Sequence, residues 1–435
     1  MSALAQIIHK HPDTVITGSD VSQRFFTDDL LEACGIPVLA FDPANVEKAD
    51  IVVFSAAYDA GHPEVARAQA LGLEVYSYPQ YLGRLMSEKI GVCISGTHGK
   101  TTTTAMAGKI LIDNGLDPTV VVGSEVPTLG GNAHVGRGPL FLAESCEYRR
   151  HFLNYSPIHL IITNMELDHP DYFKDLEDVV DAFRTLAAKL PPTGHLVIWA
   201  DDPSRHRIQT AAPVTTYGFS AAADLRAVNV SYDHLGSHFD IIQGNTLLGH
   251  LDLLVFGRHN ILNALAVVAL TQRLGLPIDA ILGSLAGFTG TKRRLERLGT
   301  HNGAIIVDDY AHHPTEIRTT LDGVRRSYPG RRIRAVFQPH TFSRTEKLLY
   351  EFSESFRDAD EVVLAEIFSS AREKPNGNLS SRKLAGLIEK QGIQVRYFPT
   401  LEEISAYLGQ TVGADDLVIT LGAGDIYKVG QNLIS

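Results

Sequence analysis

The chain has 435 residues, too many for one hydrophobic core, so two or three domains are expected. Hydrophobic residues make up 44% and charged residues 20%, the balance of an ordinary globular protein, and a net charge of -11 excludes a general affinity for nucleic acid or an anionic membrane. Cys34, Cys93 and Cys146 are scattered, without metal-ligand spacing; no apolar run is long enough to span a bilayer, and residues 1–11 lack a signal-peptide layout, so a reduced, cytoplasmic protein is expected.

In chain order, apolar β-rich runs alternate with helical patterns, the mark of an α/β protein with parallel sheets. Residues 14–17 read as a strand ending in Gly18-Ser19-Asp20, with further strands at 51–55 and 73–76. A second block opens with the apolar strand 90–95, a glycine loop and a helix over about 101–114. Strands follow at 140–143, 159–163 and 195–199, then a stretch of short strands and turns over 214–250 and a strong helix at 260–274. A third block places strands at 304–307, 333–337, 361–365, 394–398 and 417–421 between helices, a doubly wound pattern of its own. Polar or glycine-rich junctions at 86–89 and 287–291 divide the chain into 1–88, 89–290 and 291–435.

The strongest local signal is Ser95-Gly96-Thr97-His98-Gly99-Lys100-Thr101-Thr102, between a strand and a helix. Glycines let backbone N–H groups turn toward phosphates, and the helix N-terminus adds partial positive charge. Lys100 can reach β- and γ-phosphates, and the Thr101 hydroxyl can ligate Mg²⁺. The common phosphate-loop pattern needs a glycine where Ile94 stands, so this is the shorter G-T-x-G-K-T form. Taken alone, it leaves a P-loop kinase or GTPase open, and a ligand-free helix cap as the bland alternative.

That short form, with seven further stretches in order, resembles the Mur ligases, and within them the L-alanine-adding branch. The others are Glu144-Ser145-Cys146-Glu147-Tyr148-Arg149-Arg150-His151-Phe152, Asp168-His169-Pro170-Asp171-Tyr172-Phe173, Gly257-Arg258-His259-Asn260 with Asn263-Ala264, and Lys292-Arg293-Arg294-Leu295-Glu296. Asp308-Asp309-Tyr310-Ala311-His312-His313-Pro314-Thr315-Glu316, Phe337-Gln338-Pro339-His340 and Gly422-Ala423-Gly424-Asp425-Ile426 complete the series. The resemblance implies three α/β domains: a Rossmann-like UDP-sugar domain (1–88), a central P-loop ATPase domain (89–290) and a Rossmann-like C-terminal ligase domain (291–435). It implies ATP-dependent ligation of L-alanine to UDP-N-acetylmuramic acid through an acyl phosphate, in peptidoglycan synthesis. ATP and Mg²⁺ are the implied cofactors; whether the chain is a monomer or a homodimer stays open.

By the same resemblance, Gly96, Thr97, His98, Gly99, Lys100, Thr101 and Thr102 hold the phosphates, and Glu144 joins Thr101 as a Mg²⁺ ligand. His169 is a ligand of a second Mg²⁺ or, equally, a loop histidine bonding the acyl phosphate. Asn260 and Asn263 read adenine, with an N-cap role as the bland alternative for Asn260. Arg294 faces the transferring phosphoryl group, while Lys292 and Arg293 are solvated neighbours. Asp309 meets the nucleotide, and Tyr310, His312, His340 and Arg344 orient alanine and the acyl phosphate; Thr341 replaces an arginine of many relatives, which shifts alanine-carboxylate recognition toward Arg344. For His313 a capping or packing role is expected.

The start Met1-Ser2-Ala3-Leu4-Ala5 resembles the end of the family's glycine-rich opening turn, so the strand and diphosphate-binding glycines before it are expected to be absent, through a late start or a shortened protein. What remains of the UDP-sugar site is Ser19, Asp20, Ser55 and Ala56. A ligase for another amino acid or a recycled peptide, and a non-catalytic ATP-binding remnant, are the alternatives. A folate polyglutamylating ligase should lack the Asp-Asp-Tyr-Ala-His-His segment.

Overall fold

Runs of β-branched and apolar residues become buried parallel strands, and the loops at their carboxyl ends carry the polar motifs. The computed structural model describes residues 1–369 and 379–435. These form two compact units: Met1–Met165 with Val180–Tyr217 and Ala266–Ser284, and Glu166–Val179 with Gly218–Leu265 and Leu285–Ser435.

In the first unit a sheet runs in the spatial order Gly131–His134, Thr119–Val126, Leu140–Glu144, Ile90–Ser95, His159–Ile162, His195–Trp199, Val214–Gly218. All neighbours are parallel except the first pair. Ile90–Ser95 lies centrally, so the loops leaving Leu140–Glu144 and His159–Ile162 emerge on either side of the glycine loop. This is a topological switch point, where open parallel sheets bind ligands. In the helix Lys100–Asp113 the first residue is followed by four threonines, which are poor helix formers. Their burial is tolerated because the Thr103 and Thr104 hydroxyls donate back to the carbonyls of Gly99 and Lys100, both at 2.8 Å.

The first 88 residues differ from expectation. The strand is Gly18–Asp20, not 14–17, and it pairs in parallel with Val38–Ala40. The ladder matches Gly18 with Val38. One step earlier it would meet Pro37, which has no N–H to donate. Val15 accordingly lies 93% exposed. Ile51–Phe54 pairs in parallel with Glu74–Ser77 as a separate two-stranded sheet. The helix Ser2–His9 buries Ala3, Leu4 and Ile7, and is tied to the central sheet's edge by Gln6 Nε2 to Asn132 Oδ1 at 3.1 Å and Asn132 Nδ2 to Ser2 Oγ at 2.8 Å.

The second unit contains an antiparallel meander, Leu225–Tyr232, Ser237–Gln243 and Thr246–Leu253. It also holds a sheet ordered Glu296–His301, Ala304–Asp309, Asp416–Leu421, Arg332–Phe337, Glu361–Leu364, Gln394–Tyr397. Only the outer Glu296–His301 runs antiparallel. One hydrophobic core gathers around Ile317, Phe337 and Phe352, another around Ile306, Val418 and Ile426. Register places Asp309, Leu421 and Phe337 in one row, so the segments after all three leave the same edge. Among the described residues no helix is long and apolar enough to cross a membrane.

Candidate active site

In the first unit the glycine loop is shaped by sterics. Gly96 has φ +133°, and a Cβ there would lie 1.9 Å from Thr163 Oγ1. Gly99, at φ 82°, turns the chain into the helix. Asn164 braces the loop: its carbonyl accepts from Thr97 N at 3.0 Å and its Oδ1 from His98 N at 2.9 Å.

Lys100 Nζ donates to the carbonyls of Gly96 (2.6 Å) and Thr97 (2.9 Å) and pairs with Glu147 Oε2 at 3.0 Å. Burial would lower the ammonium pKa, but Glu147, with Cys146 and Glu144 behind it, outweighs this and holds it above its ordinary value. Thr101 Oγ1 donates to both Glu144 oxygens, at 3.0 and 3.1 Å, and Gly123 N donates to Oε2 at 2.7 Å. A hydroxyl and a carboxylate converging this way offer only hard oxygen donors, which fits Mg²⁺.

In the second unit another site forms at the row of strand ends. Arg344 Nε donates to Asp168 Oδ1 at 2.9 Å, each side chain only 6% exposed, although 176 residues separate them. Burial alone would raise the Asp168 carboxyl; Arg344, then His169, His312 and His313, hold it well below the usual carboxylate range. Arg344 Nη1 also reaches the His340 carbonyl at 3.4 Å, and the His340 ring stacks on Phe368, centroids 5.5 Å apart. Burial pushes His312 down to about 3, so the ring is neutral at pH 7. The Tyr310 carbonyl 3.0 Å from His312 Nδ1 calls for the proton there, which leaves Nε2 with its lone pair.

Backbone strain collects at both sites. Of the nine non-glycine residues with positive φ among those described, six are Arg149, Arg150, His169, Arg293, Leu295 and Thr341, all within or beside the motifs. Such conformations persist where the surroundings impose them, often at functional sites.

Residues 94–271 match the Mur ligase middle domain, 293–424 the Mur ligase glutamate ligase domain, and 1–90 the Mur ligase family catalytic domain. The UDP-N-acetylmuramate–L-alanine ligase of Desulfitobacterium hafniense is 61% identical over 434 residues, covering 100% of this chain and 97% of the relative. The chain belongs to the Mur ligase family. The crystal structure of UDP-N-acetylmuramate-alanine ligase MurC from Thermotoga maritima superposes with a TM-score of 0.82 at 26% identity, over 96% of this chain and 92% of that one. A murein peptide ligase from Psychrobacter arcticus shares the fold, with a TM-score of 0.70 at 24% identity over 100% and 95%. The α/β, three-domain Mur ligase architecture expected from the sequence is therefore established.

Within this Mur ligase, the first unit brings together Lys100, Thr101 and Glu144, while His169 belongs to the second unit with Arg344, His312 and His340. Arg293 is no solvated neighbour: it donates to Asp308 Oδ2 at 3.2 Å and to the Gly422 carbonyl at 2.7 Å, with its guanidinium 4.6 Å from the Tyr427 ring centroid. Lys292 is half exposed and pairs with Glu296 at 2.8 Å. Arg294 keeps only a loose contact with Glu316, at 3.8 Å, beside the Tyr310 ring. Asp309 accepts from Ala311 N at 2.7 Å and Leu295 N at 2.8 Å, so its oxygens hold the loop that carries Arg294. Burial raises its carboxyl to about 6.

Asn260 is not an N-cap, because the helix is Arg258–Arg273; its Nδ2 donates to the Phe256 carbonyl at 2.9 Å, and Asn263 Nδ2 to Asn260 Oδ1 at 3.3 Å. His313 caps the helix Pro314–Ser327, its Nδ1 accepting from Thr315 N at 3.3 Å. Ser19 Oγ donates to buried Glu64 at 2.6 Å; Asp20 lines a cavity of about 470 Å³ with Arg24 and Leu39, whereas Ser55 Oγ accepts from Ala57 N. Asp168, Glu147, Glu64 and Asn164 were not singled out by sequence reasoning. The first two lay inside quoted motifs, and a buried partner for each motif's cation was the signal to look for.

Proposed function

We propose that this chain joins L-alanine to the lactyl carboxylate of UDP-N-acetylmuramic acid, consuming ATP and releasing ADP and phosphate, in peptidoglycan precursor synthesis. The full-length 61% identity to a ligase of that name carries the reading. The two sites divide the chemistry. A carboxylate will not release oxide to an amine at neutral pH, so it must first attack the γ-phosphate and become an acyl phosphate. That step asks for positioning and charge neutralisation.

Lys100 and the loop amides serve the phosphates, and Arg294 the transferring phosphoryl group. Thr101 and Glu144 would hold Mg²⁺, which when bound offsets phosphate charge, and His169 is proposed for a second Mg²⁺ or for a hydrogen bond to the acyl phosphate. Asn260 and Asn263 are proposed for the adenine edge. Asp309 is proposed to act through Arg294, whose loop its oxygens hold.

The amine step belongs to the second unit's strand ends. Arg344 suits the alanine carboxylate: Asp168 fixes its Nε edge and leaves guanidinium nitrogens for a ligand. His312, neutral through burial, can accept a hydrogen bond from the amine at Nε2, with Tyr310 and His340 beside it. We assign UDP-sugar binding to 1–88 (with Ser19, Asp20, Ser55 and Ala56), ATP binding to 89–290 and ligation to 291–435. Use of ATP and a UDP-linked precursor supports work in the cytoplasm.

The test is phosphate release from Mg·ATP with UDP-N-acetylmuramic acid and, in turn, L-alanine, glycine, L-serine and an L-alanyl-γ-D-glutamyl peptide. Release that requires both the UDP-sugar and L-alanine is expected. Release with the peptide alone would make the chain a peptide ligase, and nucleotide binding without turnover a non-catalytic remnant.

A further inference from the structure

An ammonium has three protons, and those of Lys100 have three acceptors: the carbonyls of Gly96 and Thr97 and the carboxylate of Glu147. The lysine and glutamate side chains are only 12% and 2% exposed, so little water competes for the pair. A phosphate can therefore engage Lys100 only by taking it from one of these partners. The carbonyls belong to the loop itself, which leaves Glu147 as the partner to displace.

Glu147 is held by its own backbone. Just before it, Ser145 N donates to the Ile94 carbonyl at 2.9 Å and Ser95 Oγ to the Ser145 carbonyl at 2.8 Å, tying the segment to the central strand. Just after it, Arg149 and Arg150 take left-handed conformations, φ 50° and 56°. Arg150 N donates to the Glu147 carbonyl at 2.7 Å, and its guanidinium pairs with Asp181 at 3.1 Å. Two successive strained residues that are not glycine indicate a conformation imposed to aim this side chain.

We propose that Glu147 is a positioning residue that competes with nucleotide phosphates for Lys100, and so limits how tightly the loop holds ATP and how long it retains ADP. This rests on reading Lys100 as a phosphate ligand. The carboxylate acts twice: it occupies the ammonium, and its buried charge opposes an incoming phosphate. Once the γ-phosphate has gone, fewer phosphate oxygens compete, and Glu147 regains the lysine as ADP leaves.

The experiment compares the full chain with E147Q and E147D. It measures Mg·ADP and a non-hydrolysable ATP analogue by calorimetry, with steady-state kinetics alongside. E147Q is expected to bind Mg·ADP roughly tenfold tighter, the scale on which one close charge pair trades for another. KM for ATP should fall with it, and kcat should fall as product release slows. E147D keeps the charge on a shorter arm and should bind with an affinity between the two. A residue that only shapes the loop would not lower Kd and kcat together. If E147Q binds Mg·ADP no more tightly than wild type, the proposal is overturned. If E147Q does not fold, E147D decides: tighter binding than wild type supports the proposal, and equal or weaker binding overturns it. Failure of the wild-type chain to bind Mg·ADP at all would overturn the phosphate-loop reading as well.

Discussion

The phosphate loop of the first unit and the strand-end site of the second are built on different principles. The loop is local: Gly96 to Thr101 span six residues, and the main chain supplies most of the geometry. The second site is assembled from distant pieces. Asp168 and Arg344 meet across 176 residues, and the loops after Asp309 and Phe337 join them because parallel register brings those ends into one row. A site made of backbone fails when its single cation is lost. A site made of buried side chains should instead fail through its supports, and through pH.

The largest contrast is expected from Lys100→Ala. Removing the loop ammonium proposed to follow the β- and γ-phosphates should lower kcat by roughly three orders of magnitude or more, while far-ultraviolet dichroism shows the fold retained. Near wild-type ligation would show that the loop amides suffice and would overturn the reading of the loop.

In the second site, Asp168→Asn is the corresponding test and should act on stability as well. It keeps the shape but leaves the Arg344 guanidinium buried without its carboxylate, a change that costs about 3–5 kcal/mol when the pair is well buried. Denaturant unfolding should show that loss, and KM for L-alanine should rise more than KM for ATP. Equal effects on both would mean that Arg344 does not serve the amino acid.

A third test uses pH. Burial lowers His259 to about 4 and His312 to about 3, both below the ordinary histidine value of 6.5. Their contribution is complete above that value and is lost as pH falls toward the folded values, because the unfolded chain takes up protons first. Asp309, raised to about 6, has the opposite sign: it favours the fold at low pH and loses that contribution as pH rises through 6. Between roughly pH 4 and 6 His159, which burial also lowers to about 4, acts with them, so these three histidines outweigh the Asp309 carboxyl and stability rises as pH rises. His259→Gln should flatten that slope in urea titrations; an unchanged slope would mean that His259 is charged in the folded protein.

The difference between the sites also decided what could be read from sequence. The phosphate loop was legible because its chemistry is contiguous, as were most strands of both large sheets, whose apolar runs are buried on both faces. Residues 14–17 misled because their apolar character says nothing about Pro37, which blocks the ladder from the partner strand. Arg293 misled because it stands beside an exposed lysine in a basic run, while its carbonyl partners come from the glycine turn after residue 421. Glu147 and Asp168 were within the quoted motifs, but only burial distinguishes a carboxylate that holds a cation from one that meets solvent.

The smallest effect tests whether burial is what separates these sites from ordinary charge pairs. On the antiparallel meander, His238 Nδ1 lies 2.7 Å from Asp252 and His250 Nδ1 lies 2.7 Å from Asp240. The pairs are as short as those of the second site, yet they stand on an exposed face. Hydrogen bonds donated to Asp252 and Asp233 raise His238, and one donated to Asp240 raises His250. A raised histidine stabilises below its unfolded value, and the contribution is lost as pH rises through the folded value, here from about 6.5 upward. Water and salt screen such pairs, so Asp240→Asn should shift the melting temperature slightly at pH 6 in low salt and not at all at pH 8 or in 1 M salt. A loss as large as that of Asp168→Asn, or one that survives high salt, would show that distance alone sets the worth of a histidine–aspartate or arginine–aspartate pair here, and the contrast between the two classes of site would fall.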